Sequence, residues 1–378
     1  MTHDGIVRLA PCWVPRQYNA PGRRLRLQAS DLYAYGAQRG CIAERWLASV
    51  TKADNGPGTL ADEGLSYVEH GGRRMLLQEF LKEAGETWDV LAKFFDNYGP
   101  IGHHMHQRAE HASLVGQKPK PEAYYFPPQL NHTENSFPYS FLGLTPGTTR
   151  QDIRRCLMRW NQGDNGILWH SPAYRLKPGT GWQIDPGVLH APGTLVTYEV
   201  QGASDVGAVF QSVVNGRAMP WNALVKDVPL ESREDLDFIL DMLDWEANLD
   251  PLFAQKRRFE PKVSDESDEF SESWVVYSTA LYSAKELTVY PRCSVTLKDA
   301  AAYGCIAVQG HGTLGSLEVE APGVIRFGHM TRDEFFVTSQ AARDGVRIEN
   351  RGGEDLVLLK HFGPGNSEAA ELIDEIRH

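Results

Sequence analysis

Apolar residues along the chain fall mostly into short runs cut by glycine and proline. Between about 166 and 215 such runs occupy 174–176, 181–184, 194–200 and 206–214. From 274 the cadence resumes at 274–277, 286–290, 294–297, 304–308, 324–327, 335–337, 346–348 and 356–359. Short strands with frequent turns predict all-β barrels of the jelly-roll kind. Strands are also expected at 40–50 and 90–96, and Arg23 to Leu27 alternates as a strand does. Helical spacing is confined to four places. Met75, Leu76, Leu77, Phe80 and Leu81 predict a helix over 73–84. Ile153, Leu157 and Trp160 share one face of a helix over 151–160, with Thr148 or Thr149 as its cap. Leu236, Ile239, Leu240 and Leu243 form a stripe within 229–258, and Ser367 can cap a last helix ending near 376.

The two stretches of β cadence predict a mainly β chain: two jelly-roll barrels of one kind, with helical insertions and connecting helices. The first barrel is expected in 1–225, a helical connector and solvated acidic linker in 226–272, and the second barrel with a short terminal helix in 273–378. Two folding units also suit a chain of 378 residues. The formal net charge of −11 offers no basic excess for nucleic acid or an anionic membrane surface. No apolar run approaches a membrane span. The start, Met1 to Gly5, lacks a basic segment followed by an apolar core. Cys12, Cys41, Cys156, Cys293 and Cys305 are odd in number and none sit at metal-binding spacing, which predicts reduced thiols and a cytoplasmic setting.

Candidate chemistry is concentrated after the Gly99-Pro100 turn. His104 and His106 lie two apart, so a strand points both imidazoles to one face. Glu122 opens a second run, rich in aromatics. Two imidazoles and a carboxylate on neighbouring strands suit a divalent ion of the zinc, iron or nickel kind. Pro186-Gly187 then makes a tight turn, with His190 at the start of the following strand.

His-x-His with Glu, followed by Pro-Gly-x-x-His, resembles the two motifs of the cupin superfamily. The resemblance implies His104, His106, Glu122 and His190 as ligands projecting into one barrel mouth. More of the chain is similar to a narrower family, the type I mannose-6-phosphate isomerases. Glu44 to Ser49 is similar to its Glu-x-Trp-x-x-Ser element, and Leu91 to Asp96 to its Leu-x-Lys-x-x-Asp strand. Lys120-Pro121-Glu122 matches its Lys-Pro-Glu, and Glu199 to Asp205 looks like its Glu-x-Gln-x-x-Ser-Asp. The match runs over roughly 40 to 220. It departs at His104, where the family usually has Gln, and at Val209, where it has an Arg four residues after Ser-Asp.

The resemblance implies one divalent metal, zinc, and interconversion of an aldose and a 2-ketose, a small sugar or sugar phosphate being the only partner. Lys120 and Glu199 would stand at the proton transfer, with the base unassigned between them; Lys120 would need a lowered pKa to serve. Arg217, Arg108 or Lys118 would hold a phosphate if there is one. His103 and His111 are expected to point away into solvent, and Arg154, Arg155 and Arg159 to form a solvated helix face. His311, His329, Glu334 and His361 lack the His-x-His pair, so the second barrel is expected to carry no metal. The competing readings are an isomerase of unphosphorylated sugars, a cupin oxygenase using iron at the same ligands, and a sugar-binding bicupin without turnover.

Overall fold

The computed structural model describes residues 5–17, 20–133, 137–369 and 372. Its first half is a sandwich of two antiparallel sheets. The larger runs in the order Arg258–Phe259, Gly181–Ile184, Glu122–Tyr125, Thr197–Gly202, Val90–Phe95, Cys41–Leu47, Cys12–Arg16. The smaller runs Ala173–Arg175, Tyr139–Leu142, His190–Ala191, His104–Met105, Ala208–Val209. A second sandwich stacks a nine-stranded sheet with a four-stranded one and holds seven of the eight strands expected from 274 onward. This is the mainly β, double jelly-roll architecture that the turn cadence predicts.

Alternation along the strands assigns the two faces of the seven-stranded sheet. Ala92, Phe94, Ala123, Tyr125, Tyr198 and Val200 point one way and pack with Val276, Ile306 and Leu359 of the second sandwich. Because this face is buried against another sheet, its strands are apolar there. The opposite face carries Glu44, Lys93, Glu122, Tyr124 and Glu199, which line a cavity between the two sheets of the first sandwich. Arg45, on the outward face, clamps the two sandwiches. Its guanidinium donates to both oxygens of Asp333 at 2.7 and 2.8 Å and to Glu334 at 2.8 Å.

Several expectations change. The helix expected over 73–84 starts at Leu77, because Gly71 and Gly72, both at positive φ, turn Arg73–Leu76 back on Tyr67–His70 as a hairpin. Arg23 to Leu27 forms no strand. Arg23 and Arg26 sit at positive φ, and Arg24 turns inward to Asp96. The run 324–327 makes a single bridge from Ile325 to Leu27 rather than a strand. The acidic run at 265–269 is no linker: Lys262–Glu266 pairs with Phe270–Val276, and the acids sit exposed at the hairpin turn. The nine-stranded sheet also crosses the expected division at 225, since Ile6–Leu9 pairs with both Glu334–Val337 and Tyr67–His70. Thr149 does cap a helix, Arg150–Met158, through a reciprocal bond pair with Asp152. Short helices at Leu236–Asp241, Trp245–Leu249 and Phe253–Arg257 connect the sandwiches. Ser367–Ala369 is one helical turn, and apart from Leu372 the rest of the expected last helix lies outside the described residues.

Candidate metal centre

His104 and His190 are direct partners across the antiparallel pair of His104–Met105 and His190–Ala191. His106 follows on the same face as His104. The three imidazoles offer nitrogens that all lie within 4.8 Å of one another. Each Nδ1 is held by a backbone carbonyl: Gly102 at 2.7 Å for His104, Val206 at 2.7 Å for His106, Val188 at 2.9 Å for His190. A carbonyl only accepts, so Nδ1 carries a proton and each Nε2 is turned toward the others; at His106 the Lys120 ammonium, 3.0 Å away, donates to that Nε2 and would give way to a ligand. The Nε2 of His190 is buried and makes no hydrogen bond among the described residues. Burial holds His104 well below the ordinary imidazole range, with neighbouring His190 adding to it. Burial, then the Lys120 charge, lowers His106 to about 4. Three converging imidazoles, two of them held toward the neutral form, fit a divalent metal.

Glu122 comes to these rings from the opposite sheet, where it pairs with Ile184 and Gln201. Its carboxylate oxygens lie 3.1 Å from His106 Nε2 and 3.0 Å from His190 Nε2. Burial alone would raise its pKa, but Lys120 and His106 pull it well below the ordinary range. Tyr124, two residues along the same strand face, donates its hydroxyl to the Glu122 carboxylate.

The turn that delivers His190 is pinned from two sides. Gly187 stands at φ +85°, a conformation that side-chain-bearing residues rarely adopt, and a Cβ there would meet Asp244 N at 2.8 Å. Its N–H donates to the His106 carbonyl at 2.7 Å, which ties the two ligand segments together. Asn248, in the helical connector, donates to the Gly187 carbonyl at 2.7 Å and accepts from Leu189 N at 2.9 Å. Sequence reasoning missed Asn248, because the connector shows only an apolar stripe.

Beside the imidazoles runs a chain of buried opposite charges. Lys120 Nζ lies 2.9 Å from Glu122 and 3.2 Å from Glu199. Lys93 is 3.3 Å from Glu199 and 3.9 Å from Glu44, and Arg16 bonds Glu44 at 2.7 Å. The cross-strand register Trp46–Lys93–Glu199–Tyr124 sets this order. Burial would lower the Lys120 pKa, but Glu122, Glu199 and Asp205 hold it above the ordinary lysine value. Burial and then Glu122 raise Glu199 to about 7, against the pull of Lys120 and Lys93. The lowered lysine pKa that a base would need is therefore not what these neighbours produce. Lys93 and Arg16 carried no role in the sequence reading. A lysine inside the otherwise apolar run 90–95 was the available signal for the first.

The cavity is about 490 Å³, within the usual range for small ligands. It brings together His104, His106, Lys120, Glu122, Glu199 and Arg217. Arg217 follows the Asn215-Gly216 hairpin turn, stands exposed at the rim and donates to the Gln17 carbonyl at 2.9 Å. Arg108 and Lys118 are not among the lining residues; they pair with Glu110 and Asp89. His103 is fully buried rather than solvated. In the second sandwich Glu334 is engaged by Arg45 and His361 by the Tyr198 hydroxyl at 2.9 Å. The five cysteines are unpaired. No helix among the described residues is long and apolar enough to cross a membrane.

No family model matches the chain, and no curated protein matches it in sequence. Solved structures do. The mannose 6-phosphate isomerase of Bacillus subtilis superposes with a TM-score of 0.62 at 15% identity, covering 95% of this chain and 99% of its own. A point mutant of phosphomannose isomerase from Salmonella typhimurium gives 0.63 at 11% identity, covering 95% and 100%. A zinc-bound mannose 6-phosphate isomerase gives 0.61 at 12% identity, covering 95% and 99%. The chain has the cupin-type fold of the mannose-6-phosphate isomerases over nearly its whole length.

Proposed function

We propose that the chain is a metal-dependent aldose–ketose isomerase, with His104, His106, Glu122 and His190 holding one divalent ion, zinc first among the candidates. One observation carries the reading: three Nε2 lone pairs converge beside a buried Lys120–Glu199 pair inside a sugar-sized cavity. The zinc-bound neighbour of the same fold supports the choice of ion.

Interconverting an aldose and a 2-ketose requires a proton to leave a carbon next to a carbonyl and return to the adjacent carbon. A bound ion would supply positive charge to offset the negative charge that develops on the two sugar oxygens. Glu199 is the group for the proton. Held above the ordinary carboxylate range by burial and then by Glu122, it can take a proton and give it back one carbon away. Lys93 and Lys120 fix its carboxylate from two sides, at 3.3 and 3.2 Å. Lys120 is held protonated and fixes the Glu122 and Glu199 carboxylates beside the imidazoles. Ile101, Phe95 and Val206 give the cavity an apolar patch on which the sugar carbons can lie.

The test is a screen of aldoses and ketoses, free and phosphorylated, on protein of measured metal content in deuterated water. Conversion with deuterium entering the sugar at the exchanged carbon is expected. A chain that binds metal and sugar but converts none of the panel is not an isomerase, and oxygen-dependent turnover would point to the oxygenase reading instead.

A further inference from the structure

We infer that, within the isomerase reading above, this site takes an uncharged sugar in preference to its phosphate ester. The evidence is the charge pairing of the cavity wall. Five cations line it: Arg16, Lys93, Lys120, Lys226 and Arg217. Four of them already face carboxylates. Arg16 is bound through two nitrogens to Glu44, at 2.7 and 3.2 Å, and lies 3.4 Å from Asp205. Lys93 and Lys120 share Glu199. Lys226 lies 3.0 Å from Asp54 and 3.2 Å from Asp227. The lining holds as many carboxylates as cations, with Glu44, Asp54, Glu122, Glu199 and Asp205 set against the five.

A phosphoryl group carries between one and two negative charges near neutral pH and binds where cations or N–H groups have donors to spare. Here it would enter beside Glu44, Asp54 and Asp205, and each of these four cations would have to share or leave a carboxylate to meet it. The Arg16–Glu44 pair is buried, with side chains 6% and 7% exposed, so that exchange would strand a charge away from water. The remaining cation, Arg217, stands at the exposed rim, where a single ion pair contributes little. Positive charge from a bound ion does not alter this, because it sits at the imidazoles while the ester of a six-carbon sugar lies at the far end of the chain.

A hydroxyl has the opposite requirements. It donates and accepts at once, so a carboxylate and an ammonium side by side satisfy both of its functions without separating. Asp205 and Arg16, or Asp54 and Lys226, are such paired partners. The apolar patch suits the C–H face of a neutral sugar.

The experiment uses the full, metal-loaded chain. Isomerisation and calorimetric binding are measured for an aldohexose, its 2-ketose and the 6-phosphates of both, with inorganic phosphate as a competitor. Preference for the free sugars in kcat/KM and in Kd by about tenfold or more is expected, without competition from phosphate. Equal or better use of the esters, or competition by phosphate, overturns the inference while leaving the isomerase reading intact. Metal-dependent binding of free sugars over esters without turnover supports the inference and sinks the isomerase reading. Failure of both forms to bind overturns both.

Discussion

Replacing Asn248 by alanine should loosen the metal site from outside it. Asn248 is 1% exposed and touches none of the ligand imidazoles directly in the network described above. Its Oδ1 accepts from Leu189 N, one residue before His190, and its Nδ2 donates to the carbonyl of Gly187 at 2.7 Å. With alanine in place, the Gly187 carbonyl keeps its bond from Asp244 N at 3.0 Å, whereas the buried Leu189 N–H loses the amide acceptor. One buried donor left unsatisfied costs about 1–3 kcal/mol, which sets the expected loss of stability. The effect on metal binding should be separable. Groups that orient a ligand from behind typically change metal affinity by about 10–100-fold when removed, or about 1.4–2.7 kcal/mol. Urea unfolding of the metal-free protein gives the first quantity. Competition against a chelator of known affinity gives the second. Metal affinity within about a factor of two of the wild type would refute the claim that this amide orients His190, even if the variant is less stable.

Other substitutions probe the chemistry and the electrostatics. Glu199→Gln should lower kcat by about 10²–10⁴ while metal content is retained; elemental analysis beside the rate assay separates this from loss of the ion. Asp205 gives a pH signature. Burial would raise its pKa, but Arg16, Lys226, Lys93 and Lys120 hold it below the ordinary 3.8. A depressed carboxylate contributes stability above its unfolded pKa and loses it as pH falls through the folded value. Asp205→Asn should therefore destabilise the protein at pH 7, and the gap to wild type should close as the pH is taken below about 4 in parallel denaturation curves.

The clustering of the three histidines was readable because their spacing maps directly onto strand geometry. His104 and His106 share a face by parity, and the Pro186-Gly187 turn announces the strand that begins at His190. The jelly-roll class was readable for a similar reason, since turn signals recur at short intervals. What could not be read were relations between distant segments. Lys93 and Glu199 meet only through the register of two strands more than a hundred residues apart, and Arg16 meets Glu44 through a third pairing. Ile6–Leu9 joins the second sandwich because its neighbour in space, Glu334–Val337, lies at the other end of the chain. The acidic run at 265–269 looked solvated, and it is, but its flanks pair as a hairpin whose register composition does not reveal. Lys120 was open as a base until its two carboxylate neighbours were located.

The central claim is that the four converging side chains hold an ion on which sugar isomerisation depends. It is tested most directly by measuring isomerase turnover on one protein sample as purified, after chelation, and after metal is restored. The account predicts about one divalent ion per chain in the active sample, loss of turnover with its removal, and recovery on readdition, none of it in His106→Ala. Turnover that survives complete removal of the ion, or a wild-type chain that takes up no ion at saturating metal, would contradict it.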